Sequence, residues 1–305
     1  MFPLYKDRNT VKLMITKSSN VLRKLKTKYE IIIVDDCSTD GTWDLITKLS
    51  SKDERIKAHR NPRNMGIVYT LNHAIINLAQ YEYIARMDAD DECEVERLER
   101  QEFTLSNWPE IGVVGTNYTL MGRDKKNDIP VFLPLAHEGI IDEDFNFICH
   151  PSVMFRRSLF IEVGGYRPFF KSSEDYDLWL RMSKLTVLCN LPYHLLRYRL
   201  NPAGISSSRQ KEMVLFHKIA YESFKKPEVP LEIIHEALLE EDQIGEILDR
   251  TKNYFYYNCL NLYRLGQYRD LRKQLKLMYK SLPLIHFIRT LLRLIKNKVL
   301  RVEKI

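Results

Sequence analysis

The sequence has few cysteines and little glycine or proline. Its five cysteines are far apart and odd in number, and no two of them form a C-x-x-C pair. This spacing argues against a disulfide framework or a zinc site and favours a reducing compartment. Eleven glycines and twelve prolines in 305 residues are too few for a fibrous or disordered chain.

Two kinds of apolar segment are also missing from the sequence. The chain does not open with a basic stretch followed by an apolar run, so we expect no secretion signal. No apolar run reaches the roughly 18 residues needed to cross a bilayer. With 45% hydrophobic and 29% charged residues, the composition is that of a globular protein of one large domain with an appendage, or of two domains. We therefore expect a cytoplasmic protein.

Positive charge is concentrated at the end of the chain. From Arg264 onward there are twelve Lys and Arg and two acidic residues, so this tail has a net charge of +10 and the rest of the chain −3. In this tail, apolar residues that lie broadly along one side of a predicted helix are flanked by basic ones: Leu284, Ile285, Ile288, Leu291, Leu292 and Ile295, with Arg289, Arg293, Lys296 and Lys298. Such a helix either lies on an anionic membrane surface or packs on the rest of the protein. Its charges alternate with Leu and Ile more than with aromatic residues, which suits a membrane surface better than nucleic acid.

The first part of the chain alternates short β-branched runs with helical periodicity. This alternation predicts a parallel α/β sheet, in which ligands bind beyond the carboxyl ends of the strands. Predicted strands are Tyr29–Val34, Ile56–His59, Tyr83–Met87 and the IGVVG segment, and predicted helices run over Trp43–Leu49, Gly66–Leu78 and Val95–Asn107.

Helical periodicity dominates after about Gly204. We therefore place a boundary at Asn201–Gly204, between a domain of residues 1–204 and a helical region of residues 205–305. The predicted helices of this second region are Lys211–Phe224, Leu231–Leu239, Ile244–Leu265 and Leu271–Leu282.

Acidic residues follow two of the predicted strands. Asp88 and Asp90 follow the predicted strand at Tyr83 and are separated by one residue. Both carboxylates can therefore bind one Mg²⁺ or Mn²⁺ ion, which would neutralise a diphosphate leaving group. The alternative is a solvated acidic turn that caps the next helix. Asp36 ends the strand IIIVDD and can accept hydrogen bonds from a nucleotide base or ribose, while residues 38–40 provide helix caps.

A third acidic pair, Glu174 and Asp175, opens the helical segment EDYDLWLRM. A carboxylate at this position can act as a general base, and the alternative is a charge that complements the helix dipole. His150 is interpreted as a structural histidine. Gly164 and Gly165 predict a turn whose backbone only glycine can adopt.

The ordered segments FPLY, VDDCSTDGT, NMG, LN, ARMDADD, RLERQ, HPSVMFRR, VGGY and EDYDLWLR resemble glycosyltransferase family 2. The resemblance covers about the first two hundred residues. It implies inverting glycosyl transfer and an α/β fold of the GT-A type, with a Rossmann-like, mostly parallel sheet flanked by helices and a C-terminal helical region. Within the family, the sequence is similar to bacterial enzymes of surface polysaccharide or glycolipid assembly.

The resemblance also implies roles for particular residues. Asp175 is expected to be the catalytic base, with Glu174 beside it. Asp90 is expected to bind Mg²⁺ or Mn²⁺, and Asp88 to lie near the ribose and the metal. The residues implied for the nucleotide pocket are Pro3, Tyr5, Asp36, Asn64 and Asn72. The expected partners are a nucleotide-diphosphate sugar and a glycan or lipid-linked acceptor. The basic tail, and not the resemblance, predicts a third partner, an anionic membrane surface on the inner face of the cell, and argues against nucleic acid.

The sequence departs from the family pattern at its start. Members have a full hydrophobic strand before the P-x-Y segment, whereas only Met1 and Phe2 precede Pro3 here. That strand would lie between those at Ile31 and Tyr83. Its loss would leave buried backbone groups without hydrogen-bond partners, and each such group would lower the stability by about 1–3 kcal/mol. We therefore expect the natural chain to start upstream of Met1, or another segment to fill the place.

Two other functions stay open at this stage. A nucleotidyltransferase can also use paired carboxylates and a metal, but it usually carries a Gly-rich loop near its first strand, and residues 3–11 contain no glycine. A non-catalytic sugar-binding relative is favoured by the missing strand. The presence of both acidic motifs argues against it.

Overall fold

The computed structural model describes residues 2–4, 28–143, 145–201, 209–239 and 241–296. These residues divide into two compact units. The domain boundary predicted at Asn201–Gly204 falls mostly on residues 202–208, outside the described residues, and it stays a prediction. The first unit comprises Met1–Thr119, Pro130–Pro168 and Glu174–Tyr198, and the second Leu120–Ile129, Phe169–Ser173 and Arg199–Ile305.

A three-stranded parallel sheet forms one part of the first unit. Its strands are β1 (Phe2–Leu4), β2 (Ile31–Asp35) and β3 (Ile56–Arg60), in that order. β1 pairs with residues 33–35 of β2, whereas β3 pairs with all of β2. Every residue of β2 is buried, as expected for a β-branched run inside a covered parallel sheet.

A second sheet contains the remaining described strands. The strand order is β4-β8-β6-β9-β5, and β7 pairs with β6. β4 and β6 both pair antiparallel with β8, as β5 does with β9. β4 and β6 therefore run in the same direction, as the alternation of strands and helices predicts, but β8 lies between them and is antiparallel to both. The strand bounds are Tyr83–Ala85 (β4), Glu92–Cys93 (β5), Ile111–Leu120 (β6), Ile129–Val131 (β7), Met154–Arg156 (β8) and Val187–Tyr198 (β9).

Among the described strands no ladder joins the two sheets, yet their side chains share one core. Ile32 and Val34 of β2 lie in the same buried cluster as Ile84 of β4, Val113 of β6 and Phe155 of β8. Burial of each such side chain contributes about 1.5–3 kcal/mol. Apolar packing therefore connects the sheets where backbone hydrogen bonds do not.

Six described helices belong to the first unit. α2 continues into a π-helical turn, Ala74–Leu78, so the helix predicted to end at Leu78 is confirmed. α3 begins at Arg97 and not at the predicted Val95. The helix bounds are Thr42–Ser50 (α1), Ile67–His73 (α2), Arg97–Asn107 (α3), His137–Ile140 (α4), Arg157–Glu162 (α5) and Glu174–Met182 (α6).

Two buried polar residues of α3 hold the end of β4 in place. Arg97 donates to the carbonyl oxygens of Arg86 and Val153 at 2.7 and 3.2 Å. Gln101 donates from one amide nitrogen to two further carbonyl oxygens. The Val153 oxygen also accepts the backbone N–H of Arg86 at 3.0 Å, and a hydrogen bond from a charged group such as the Arg97 guanidinium contributes about 1.5–3 kcal/mol. The backbone from which Asp88 and Asp90 emerge is thereby fixed.

The second unit is largely helical. α9 packs against α7, α10 and α11, and Phe255, Cys259, Met278 and Leu294 are among its buried residues. The four helices predicted here are confirmed, with ends shifted by a few residues. Within the described part of the chain, no helix has the length and hydropathy to cross a membrane. The bounds are Gln210–Lys225 (α7), Leu231–Ala237 (α8), Glu241–Arg264 (α9), Tyr268–Ser281 (α10) and Leu284–Lys296 (α11).

Candidate active site

The carboxyl groups of Glu174 and Asp175 stand side by side at the first turn of α6. Glu174 is 7% exposed and the Asp175 side chain 17%. One oxygen of Asp175, Oδ1, accepts the backbone N–H of Tyr176 at 2.9 Å. The other oxygen, Oδ2, faces side chains from the loop that precedes β8, and these decide its chemistry.

Asn146 orients the Asp175 carboxylate from that loop. Its Nδ2 donates to Asp175 Oδ2 at 2.8 Å, while its Oδ1 accepts the N–H of Ile148 at 3.1 Å. The second bond fixes which end of the amide faces the carboxylate, because only the nitrogen can donate. The hydroxyl of Tyr176 donates to the carbonyl oxygen of Asp142, which ties α6 to the same loop.

His150 and Tyr166 extend this network toward α2. His150 Nε2 lies 2.8 Å from the Tyr166 hydroxyl, and its Nδ1 lies 3.9 Å from Asp175 Oδ2. Asn72 donates to the Tyr166 carbonyl and accepts the Tyr166 N–H, at 2.8 and 2.9 Å. This approach requires the predicted glycine turn, since Gly165 has φ +69° and an added Cβ would lie 2.7 Å from Asn72 Oδ1.

A buried cation, Arg86, lies next to these carboxylates. The residue is 2% exposed, and its guanidinium binds both oxygens of Asp88, at 2.7 and 2.6 Å. Bidentate pairs of this kind are among the strongest hydrogen-bonded contacts in proteins. Asp88 is therefore held in one orientation, and much of its charge is compensated.

Burial shifts the pKa values of Glu174, Asp175 and His150, in each case in the direction that favours the uncharged form of the side chain. Burial raises the pKa of Glu174 to about 7, and the charge of Asp175 adds to this effect. Burial also raises the pKa of Asp175 to about 6, against the lowering effects of the Tyr176 N–H, Arg86 and Asn146. Burial and Arg86 lower the pKa of His150 well below its usual value. Burial thus favours the protonated form of both carboxyl groups and the neutral form of His150, while the hydrogen bonds from Asn146 and from the Tyr176 N–H favour ionisation of Asp175.

Two sets of side chains offer ligand atoms for a cation. Asp88 and Asp90 follow β4, with Asp90 half-buried, and their oxygen atoms suit Mg²⁺ or Mn²⁺. In the second set, ligand atoms of His150, Glu174 and Asp175 all lie within 4.8 Å of one another.

The residues predicted for the nucleotide pocket lie mainly beyond β2. Asp36 Oδ1 accepts from Asn61 Nδ2 and the N–H of Met65, at 2.7 and 2.8 Å, and its Oδ2 accepts the N–H of Gly66 at 2.9 Å. These bonds fix the loop that carries the exposed Asn64. Of the two remaining pocket residues, Pro3 is described as backbone within β1, and Tyr5 lies outside the described residues.

Four of the predicted site residues lie in one region of the structure: Asn72, Asp88, Glu174 and Asp175. Three residues that the sequence did not single out for the site connect them: Arg86, Asn146 and Tyr166. A signal existed for Arg86, which stands two residues before Asp88 and so shares its side of an extended segment. No such signal marks Asn146, which lies in a loop 29 residues from Asp175.

Comparison with known sequences places these motifs in a family. Residues 4–164 match the profile described as Glycosyl transferase family 2. EpsE of Bacillus subtilis, a protein named as a glycosyltransferase, is 31% identical over 176 residues, which span 57% of this chain and 63% of EpsE. The O-antigen biosynthesis glycosyltransferase WbnJ of Escherichia coli is 28% identical over 224 residues, spanning 68% of this chain and 80% of WbnJ. The chain thus matches less than two thirds of EpsE's length.

The fold is similar to that of a solved structure, the mannosyltransferase PcManGT from Pyrobaculum calidifontis in complex with GDP-Man and Mn²⁺. The TM-score is 0.57 at 14% sequence identity, and the match covers 99% of this chain and 80% of the other. At this identity the likeness concerns the fold alone. It confirms the expected α/β fold of the GT-A type with a C-terminal helical region.

Proposed function

The chain belongs to glycosyl transferase family 2, and we propose that it moves a sugar from a nucleotide diphosphate to an acceptor hydroxyl with inversion. We place this reaction in the assembly of a surface polysaccharide or glycolipid, as the name of WbnJ suggests. The observation that carries the proposal is the buried carboxylate pair of α6, in which Asn146 orients Asp175 at 2.8 Å.

Asp175 is the general base of the proposed reaction. An acceptor hydroxyl is a weak nucleophile at neutral pH and needs a base within hydrogen-bond reach. Asp175 accepts the hydroxyl proton while the hydroxyl oxygen bonds to the anomeric carbon. The bond from that carbon to the diphosphate oxygen breaks in the same step, and its electron pair leaves with the nucleoside diphosphate. A single displacement inverts the anomeric centre.

Retention would need a second carboxylate as the nucleophile in a double displacement. Glu174 stands closest to Asp175, but burial and the charge of Asp175 raise its pKa to about 7. A raised pKa favours the protonated form of Glu174, and a protonated carboxyl group is a poor nucleophile. The single displacement therefore fits the site better.

Asp90 and Asp88 would hold Mg²⁺ or Mn²⁺ in this scheme. A divalent cation bound there would neutralise charge on the leaving diphosphate. Asp90 is the principal ligand in this scheme, as the family resemblance implies, and Asp88, whose two oxygens bind Arg86, is a secondary one. The presence of Mn²⁺ in the PcManGT complex supports this choice of cation.

The donor nucleotide is assigned to the loop after β2, with Asp36, Asn64 and Asn72 in its pocket. Pro3 and Tyr5 are the other two residues that the family resemblance implies for this pocket. Asp36 accepts three hydrogen bonds from its own chain. A carboxylate has about four acceptor sites, so one remains for a base or ribose. Asn72 uses both ends of its amide on Tyr166, and it acts on the pocket by positioning that residue.

The proposal is tested with a panel of nucleotide sugars and candidate glycan and lipid-linked acceptors. We expect nucleotide release that requires Mg²⁺ or Mn²⁺, stops when a chelator is added, and is abolished in Asp90→Ala. NMR of the product should show an inverted anomeric configuration.

The matched control for this variant is Asp44→Ala, which removes an exposed carboxylate from α1. It should leave turnover unchanged, and both variants should melt close to the wild type. Metal-independent turnover would overturn the assignment of Asp90. A retained configuration would overturn the single displacement, and no transfer with any donor would favour a non-catalytic relative.

A further inference from the structure

Helix α11 leaves an apolar row exposed after it has packed into the second unit. Leu294 is fully buried in the cluster that α9 and α10 share, and Phe287 and Leu291 pack against this cluster. A second row, Leu284, Ile288 and Leu292, is spaced by four residues and so lies along one side of the helix. These side chains are 64%, 44% and 59% exposed. The packing of α11 on its neighbours thus accounts for only part of its apolar surface.

Basic side chains lie beside this apolar row on α11 itself. Arg289 and Lys296 are exposed, and helical geometry places both next to the row, on the side away from the buried cluster. The helix Leu284–Lys296 contains no acidic residue. Its exposed half therefore consists of an apolar stripe and a cationic stripe.

Helix α10 adds cations on the other side of the apolar row. The ring of Tyr279, which is 62% exposed, packs edge-on against Phe287 of α11, with centroids 5.2 Å apart. On α10, exposed Lys276 lies one turn before Tyr279, and exposed Lys280 lies one turn after Lys276. The described acidic residues nearby are paired, as Asp249 with Lys252 at 2.7 Å and Asp270 with Lys273 at 2.8 Å.

We propose that this surface binds an anionic lipid bilayer. It is called the α10–α11 face and consists of Lys276, Tyr279, Lys280, Leu284, Ile288, Arg289, Leu292 and Lys296. Its aliphatic row enters the boundary between headgroups and acyl chains, and the flanking cations contact anionic headgroups. The inference goes beyond the proposed function and does not depend on it.

Other occupants fit the charge pattern less well. A symmetric contact with a second copy would place like cations opposite one another, which is unfavourable. Single-stranded nucleic acid is bound by aromatic stacking with cations, and an exposed aliphatic row contributes nothing to such binding. Only a bilayer surface offers an apolar layer directly beneath a layer of negative charge.

Vesicle flotation with the full chain tests the proposal. The wild type should float with vesicles of phosphatidylcholine and phosphatidylglycerol, and not with vesicles of phosphatidylcholine alone. The triple variant Leu284→Ser, Ile288→Ser, Leu292→Ser should lose this binding. The double variant Arg289→Gln, Lys296→Gln should bind about 25-fold more weakly, at roughly fivefold for each cation removed. Arg293 is left unchanged, because it stacks on Tyr256 at 3.8 Å.

The controls remove matched groups from other exposed places in the second unit. Ile233→Ser with Leu239→Ser removes two exposed aliphatic side chains, and Lys211→Gln removes an exposed cation. Both should bind vesicles as the wild type does, and all variants should melt like it. Equal binding to neutral and anionic vesicles, or unchanged binding by the triple variant, would overturn the proposal. So would a dimer that the triple variant dissociates, with no flotation of the wild type.

Discussion

Glu174 and Asp175 are adjacent residues of the same charge, and their surroundings give them different roles. Burial raises both pKa values. Only Asp175 accepts hydrogen bonds from the Tyr176 N–H and from Asn146, which favour its ionised form. A base whose pKa lies just below the working pH is ionised and still accepts a proton readily.

Replacing Asn146 with alanine tests how much the fine position of Asp175 matters. The variant removes a hydrogen bond to a charged group, a contribution of about 1.5–3 kcal/mol. The pKa of Asp175 should therefore rise, and the acid limb of the kcat/KM profile should move up by about 1–2 pH units. The measurement is the pH profile of turnover with a fixed donor and acceptor.

Asn107→Ala removes an exposed amide from the end of α3 and should leave the profile unchanged. A loss of activity by Asn146→Ala at every pH, without movement of the acid limb, would mean that Asn146 has a structural role only.

At the scale of elements, one buried carboxylate fixes the position of α6. Asp177 is 1% exposed and accepts hydrogen bonds from Arg167 and Arg181. Arg181 also donates to the carbonyl oxygens of Val163 and Gly165, at 2.6 Å each. The helix that carries Asp175 is thus bound to the glycine turn that places Tyr166.

Asp177→Asn should destabilise the protein without touching the reacting groups. Breaking a buried ion pair on one side costs about 3–5 kcal/mol, which corresponds to a fall in Tm of roughly 6–20 °C. Thermal melting measures this change, with Asp44→Asn as the exposed control. A Tm within about 2 °C of the wild type would show that the two arginines are held by their carbonyl partners and not by Asp177.

Local patterns predicted the elements better than their pairing. The buried strand at Ile31 and the helices α2 and α9 are each encoded by residues that are close together in the sequence. Their patterns were therefore sufficient to predict them. The strand β8, which lies between β4 and β6, was not predicted, because three residues, Met154–Arg156, carry no information about the strands beside them.

The same limit applies to the candidate site. Its acidic residues stand in short motifs and were identified from the sequence. Contacts such as Asn72 with Tyr166, 94 residues apart in the chain, depend on the complete fold, and no short segment encodes them.

At the scale of the whole molecule, the two proposed activities lie in different units. The carboxylates of the candidate site belong to the first unit and the α10–α11 face to the second. The charge follows the same division, since the tail from Arg264 carries +10 and the rest of the chain −3. Variants of the α10–α11 face should therefore leave turnover with a soluble acceptor intact.

The central claim is that Asp175 takes the proton of the acceptor hydroxyl, and Asp175→Asn tests it most directly. Asparagine keeps the shape of the side chain and removes its basicity. We predict that steady-state kinetics with the active donor will show turnover reduced by about 10²–10⁴-fold, with donor binding little changed and with Asp44→Asn indistinguishable from the wild type. A variant that turns over at a near-normal rate would contradict the account.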